Sequence, residues 1–172
     1  MATQETATRT DMRQVEDFMP LHGVDHVELY VGNAAQAAYF YARAFGFREV
    51  AYAGLETGVR DRVSHVLEQG RIRLVLTGAL HSDSEIARHQ AHHGDGVKII
   101  ALSVPDAGRA YQEAVARGAR GVRTPYEISD DHGTVRLATI ETYGDSGTNH
   151  WVKATINPSS AAVFSFSSVT AR

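Results

Sequence analysis

Apolar and polar residues alternate through DHVELYV (25–31), with Val27, Leu29 and Val31 on one face and His26, Glu28 and Tyr30 on the other. That is the period of a β-strand with one apolar and one mixed face. The period then changes. Asn33 stands at an N-cap position, and Ala37, Phe40, Tyr41, Ala44 and Phe45 fall at i, i+3, i+4, i+7 and i+8 before Gly46, which predicts an amphipathic helix with a glycine stop. Such a stripe needs a sheet to cover. FREVAYAG (47–54), RVSHVLEQG and RIRLVLTGAL supply three more strands, the last two separated by a Gln69-Gly70 turn, after the polar connection LETGVRD. In the last strand Ile72, Leu74 and Leu76 share one face, and Arg73, Val75 and Thr77 share the other. The order is βαβββ.

The same grammar returns in GVKIIALSVPDAGRAYQEAVARGA (96–119): alternating strand, cap, amphipathic helix, glycine. Asp106 takes the place of Asn33 at an offset of 73 residues, and Ala107, Ala110, Tyr111, Ala114 and Val115 form the second helix stripe before Gly118. The offset also lays Ile99 on His26. RGVRTPYEISD, a DDHG turn, TVRLATIETYG and NHWVKAT complete a second βαβββ unit. The predicted fold is therefore α+β, with helices on the outer face of curved mixed sheets. One domain spans 21–155, built from modules at about 24–80 and 96–155, joined by a linker helix at about 82–94 that Ser82 caps and Gly94 stops. Residues 1–20 read as a mobile leader without an apolar signal segment, and the Ser/Ala-rich residues 156–172 do not continue the pattern.

Composition narrows the function. At 172 residues, 43% hydrophobic and 22% charged, the chain can bury a real core. Its net charge of -3, from 17 basic and 20 acidic residues spread along the sequence, offers neither a basic face for nucleic acid nor a polybasic membrane anchor. Cysteine is absent, which excludes disulfides, thiolate nucleophiles and Cys-ligated zinc, and fits a cytoplasmic location.

The stretches DHVELYVGNAAQAAYFYARAFGF, VAYAG, LVLTGAL, HHGDGV, PYEISDDHGTV and TYGD, in that order over residues 20–150, resemble a known family. The paired modules resemble the vicinal-oxygen-chelate superfamily of glyoxalases, bleomycin-resistance proteins and dioxygenases. The short matches look like the amino-terminal half of the 4-hydroxyphenylpyruvate dioxygenase and hydroxymandelate synthase family. That resemblance implies Fe(II)-dependent chemistry of tyrosine catabolism. The α-keto acid chelates iron, O2 drives decarboxylation, and the ring is hydroxylated to homogentisate, or the benzylic carbon to hydroxymandelate. It also implies that the two His and one Glu iron ligands lie in a carboxy-terminal half that this chain lacks. No cofactor is then expected for this chain, and Fe(II) belongs to the complete enzyme. An aromatic keto acid is the candidate ligand and a homodimer the candidate assembly.

An iron oxygenase of this kind needs two neutral imidazoles and a carboxylate on one side of the metal. His26, on the first strand, is the one candidate metal ligand. Its repeat counterpart Ile99 cannot ligate, and Arg73, Val75 and Thr77 offer no carboxylate. His26 is therefore read as a structural histidine with Glu28, on the same face, as its partner; no catalytic or cofactor-binding residue is assigned. Two readings from other classes stay open: a small-molecule binding protein that uses the same cup, and a dimeric glyoxalase-type metalloenzyme pairing His26 with an acidic residue such as Glu141 of a second copy. His89 and His93 stand at i, i+4, but Gln90 replaces the Glu of HExxH, and they are read as solvated on a surface helix. His132 belongs to the DDHG turn, and His65 and His150 to strands. Asp130 and Asp131 are adjacent and cannot oppose each other across a glycosidic bond. Nothing resembles G-x-S-x-G or a phosphate loop. Tyr39, Phe40 and Tyr41 are read as core and interface packing.

Overall fold

The computed structural model describes residues 17–130, 133–142, 151–156 and 170–171. Its elements run β1 (Gly23–Tyr30), α1 (Ala34–Phe45), β2 (Arg48–Ala53), a 3-10 turn (Leu55–Thr57), β3 (Arg62–Gln69), β4 (Ile72–Ala79), α2 (Glu85–His93), β5 (Gly96–Ser103), α3 (Ala107–Ala116), β6 (Arg120–Asp130), β7 (Gly133–Glu141), β8 (Trp151–Ile156) and β9 (Thr170–Ala171). One sheet holds all the strands in the order β6-β7-β8-β5-β1-β4-β3-β2-β9. Each module pairs its first strand with its last in parallel, β1 with β4 and β5 with β8, and the modules meet through antiparallel β1 and β5. The 73-residue offset holds for the starts of β1 and β5, for the caps Asn33 and Asp106, and for the starts of α1 and α3.

Local chemistry fixes the helix ends. The Gln36 N–H donates to Asn33 Oδ1 at 2.9 Å, and Gly46, at φ 77°, donates its N–H to the Ala42 carbonyl. The linker helix α2 begins later than its sequence suggests: Ser84, not Ser82, accepts from the Ala87 N–H at 3.1 Å. The buried pair Ile86 and His89, three residues apart, sets that start, because a helix extended back to Ser82 would bury nothing more. The β3–β4 turn is also displaced by one residue, since Gln69 pairs with Ile72 across Gly70 and Arg71.

The face that α1 buries is a second correction. Ala34 and Ala38 are buried, and Ala37 and Tyr41 join them against Val31, Leu67 and Leu76. Phe40 and Phe45 of the expected stripe are 56% and 55% exposed, and Tyr39 is exposed as well. The helix rides on its alanines, which lets it approach the sheet closely at Gly78; a Cβ there would meet the Ala34 Cβ at 3.4 Å. Leu67 and Leu76 are fully buried beneath it. Truncating either to alanine costs about 2–5 kcal/mol. Met19, inside the stretch expected as a leader, packs on Val104, Ala107 and Ala110 under α3, and residues 1–16 lie outside the described residues.

Asp106 caps α3 with hydrogen bonds from the Gly108 and Arg109 N–H groups at 2.8 and 3.1 Å. The Arg109 bond first, and the Gly108 bond next, hold its carboxyl below the ordinary range. A group whose pKa is lowered on folding stabilises above its unfolded pKa, and that contribution is lost as pH falls through the folded value. In urea unfolding, Asp106→Ala is expected to lose about 1 kcal/mol at neutral pH. The gap to the wild type should close on acidification, while Asp106→Asn keeps most of the cap.

Candidate functional site

Strand pairing sets Glu28 beside Val75, Tyr30 beside Thr77, and Thr77 beside Ser64, so one face of β1, β4 and β3 carries a polar row turned away from α1. Glu28, Thr77 and Ser64 are all buried. Thr77 Oγ1 donates to Glu28 Oε1 at 2.7 Å and lies 2.9 Å from Ser64 Oγ. A hydroxyl has one proton to give, so the Ser64 hydroxyl donates to Thr77 and the chain of bonds runs toward the carboxylate. Tyr30 ends the row, its ring edge-on to His89 at 5.5 Å. Burial, and next the nearby Glu28 carboxylate, push its hydroxyl pKa well above the usual value. The Arg62 guanidinium acts the other way on Tyr30 and also on Tyr126 of β6, whose hydroxyl burial pushes up.

A second chain of charges crosses the same face. His26 Nδ1 lies 2.6 Å from Asp25 Oδ2, Asp25 Oδ1 lies 3.5 Å from Arg73, and Arg73 donates through Nε and Nη2 to Glu68 Oε1 at 2.8 and 2.6 Å. A carboxylate has no proton to give, so Nδ1 of His26 carries the hydrogen. The sequence pairs His26 with Glu28, whereas the structure gives Asp25 to His26 and Thr77 to Glu28. The register of β1 on β5 shifts between Val24 and His26, leaving Asp25 in an irregularity. There an adjacent side chain can reach the face that strict alternation denies it.

These residues do not fit Fe(II). His26 faces Ala101 and Glu28 faces Ile99 on β5, so no second imidazole stands opposite, and Thr77 occupies the β4 position where a carboxylate would be needed. Among the described residues no three His, Asp or Glu side chains come together as a metal site. The other histidines scatter. His89 is buried rather than solvated, its ring 4.7 Å from that of His93, because α2 turns it inward onto Tyr30. His65 lies 3.0 Å from Glu49 and edge-on to Tyr52. Glu141 is engaged with Arg120 at 2.9 Å, which weighs against its service to a second copy. His132, Asp131, His150 and most of the expected tail lie outside the described residues. Sequence reading missed Ser64, Asp25, Glu68 and the buried Lys98, which reaches Glu85 of α2 at 3.3 Å. For Lys98 a signal existed: a lone cation in an otherwise apolar strand.

Thr77→Val leaves the buried Glu28 and Ser64 without their shared partner, and a loss of about 1–3 kcal/mol is expected in urea unfolding. The isosteric swap should keep the native spectrum. A neutral result would show that Glu28 is held in some other way.

Comparison with known proteins supports this architecture. The chain is 48% identical over 128 residues to 4-hydroxyphenylpyruvate dioxygenase of Dictyostelium discoideum, a match covering 73% of this chain and 35% of that protein. The chain thus spans about a third of the length of the curated relatives it matches. A mutant 4-hydroxymandelate synthase from Streptomyces coelicolor superposes with a TM-score of 0.71 at 32% identity, covering 81% of this chain and 39% of that one. Methylmalonyl-CoA epimerase of Mycobacterium tuberculosis shares the fold alone, with a TM-score of 0.62 at 20% identity over 80% of this chain and 90% of that one. Residues 23–149 match the model of the Glyoxalase/Bleomycin resistance protein/Dioxygenase superfamily, and the chain belongs to that family.

Proposed function

We propose that this chain forms the non-catalytic, scaffolding domain of a cytoplasmic 4-hydroxyphenylpyruvate dioxygenase-like oxygenase of tyrosine catabolism, and that the iron and its aromatic keto-acid substrate are held elsewhere in the complete enzyme. The observation that carries this reading is the incomplete ligand set of the concave face. Ile99 and Ala101 stand opposite Glu28 and His26, and Thr77, which donates to Glu28, stands on β4 where a further carboxylate would be needed. One imidazole and one hydrogen-bonded carboxylate fall short of the two imidazoles and a carboxylate that such an iron centre needs, and a connected polar row of this kind rigidifies a domain. The matched relatives point to the chemistry of the whole enzyme, of which this chain covers about a third.

Supplied with Fe(II), ascorbate and 4-hydroxyphenylpyruvate, the purified chain is expected to form no homogentisate by chromatography. Turnover that scales with iron and disappears in His26→Ala would overturn the reading. A scaffold also needs a surface to offer, and Tyr39, Phe40 and Phe45 on the outer side of α1 are each more than half exposed. Self-association through this side predicts that Phe40→Ser with Phe45→Ser lowers the sedimenting mass. A wild type that sediments as a monomer would contradict a homodimer.

A further inference from the structure

The two modules do not fill their cores alike. In the first, Tyr41 packs with Leu29 and Ala37 against the cluster that holds Val31 and Leu67, and its ring also meets Phe45 and Phe47 at centroid distances of 5.7 and 6.0 Å. Carried across by the repeat offset, the same positions are Leu102, Val104, Ala110 and, for Tyr41, Ala114. Strand pairing puts Ile140 where Leu67 stands, since Ile140 faces Val152 as Leu67 faces Leu74. Phe45 and Phe47 correspond to Gly118 and Arg120, so all three rings are lost. Leu102, Val104, Ala110, Ala114 and Ile140, with Ala138 and Tyr111, line an apolar crevice between α3 and the sheet. Tyr111 replaces Ala38, but its hydroxyl lies over Gly121 of β6, where an added Cβ would collide with it. Its ring therefore leans toward the sheet edge and does not occupy the place of Tyr41.

What stands over the crevice is the segment before β1. Met19 and Leu21 line it, Phe18 lies under the Arg117 guanidinium at 3.6 Å, and the His22 N–H donates to the Ser103 carbonyl at 2.8 Å. That bond anchors the base of the strap. With Met19 seated, about 30 Å³ of free space remains. This is room for a water-sized body but not for a ring; a dry apolar cavity of about 150 Å³ takes benzene.

We propose that the α3 crevice is a binding site for a small uncharged monocyclic aromatic molecule, and that Met19 is its displaceable plug. The first module shows that this fold holds a ring at that point of the sheet–helix interface, and the second supplies the apolar walls, Tyr111 among them, with Ala114 where that ring would stand. Methionine suits the role of filler, being unbranched and flexible, with a thioether that packs well against many shapes. A ligand ring entering the crevice exchanges Met19 for the contacts that Tyr41 makes in its own module.

The test uses the full 172-residue chain with toluene as the probe and benzoate as its charged control, read by ligand-observed NMR and by the shift in Tm. Toluene is expected to bind saturably and raise Tm, while benzoate does neither. Met19→Ala should tighten toluene binding several-fold. Ala114→Phe, which restores the ring covalently, should abolish binding while the far-UV circular dichroism stays native; if that variant does not fold, Ala138→Leu closes the same space. Absence of saturable toluene binding in both wild type and Met19→Ala overturns the proposal. So does binding that survives the filled crevice.

Discussion

The antiparallel pairing of β1 with β5 is the constraint on which the rest of the molecule depends. Each module alone is a four-stranded unit with one helix, of a size at which a single core gives little stability. Joined at this seam, the two become one sheet, and Val27 facing Ile100 puts both helices on the same side of it. The seam also decides the chemistry of the other side, because its register sets Ile99 against Glu28 and Ala101 against His26. Side chains alternate along a strand, so a shift of one residue at this seam would replace these apolar neighbours and turn the helix-facing side of β5 toward the concave face.

The modules divide the work of the concave face unequally. In the first, buried Glu28, Thr77 and Ser64 form one hydrogen-bonded line, and Asp25, His26, Arg73 and Glu68 form another. In the second, Val135, Leu137, Ile99 and Ala101 are buried and apolar, with Thr139 a buried hydroxyl beside them. A polar network of this kind is stable only when its members satisfy one another, because each buried group left unmatched costs about 1–3 kcal/mol. That requirement competes with metal binding, which demands lone pairs left free and aimed at one point. The inequality continues on the helix side, where aromatic rings fill the first core and a strap covers the second.

Most of the architecture was legible in the sequence, since repeat, caps and strand order follow from periodicity that survives in both copies. The misreadings have physical causes. Tyr39, Phe40 and Tyr41 are consecutive and apolar on three sides of α1, so period alone could not say that the helix docks by Ala34 and Ala38. A regular strand sends neighbours to opposite faces, which points His26 to Glu28 two residues away, and an irregular register at Asp25 defeats that rule. His89 looked solvated because α2 is polar overall, yet it is the residue that meets Tyr30. The Ser64–Thr77–Glu28 line joins three strands, and its members carry no local signal of their pairing.

The concave face of β1, β4 and β3 is proposed to be a structural polar framework and not a metal centre. Anaerobic calorimetric titration of the purified chain with Fe(II), repeated with Co(II), tests it most directly. No stoichiometric binding of either ion is expected. One equivalent bound by the wild type and lost in both His26→Ala and Glu28→Gln would contradict it.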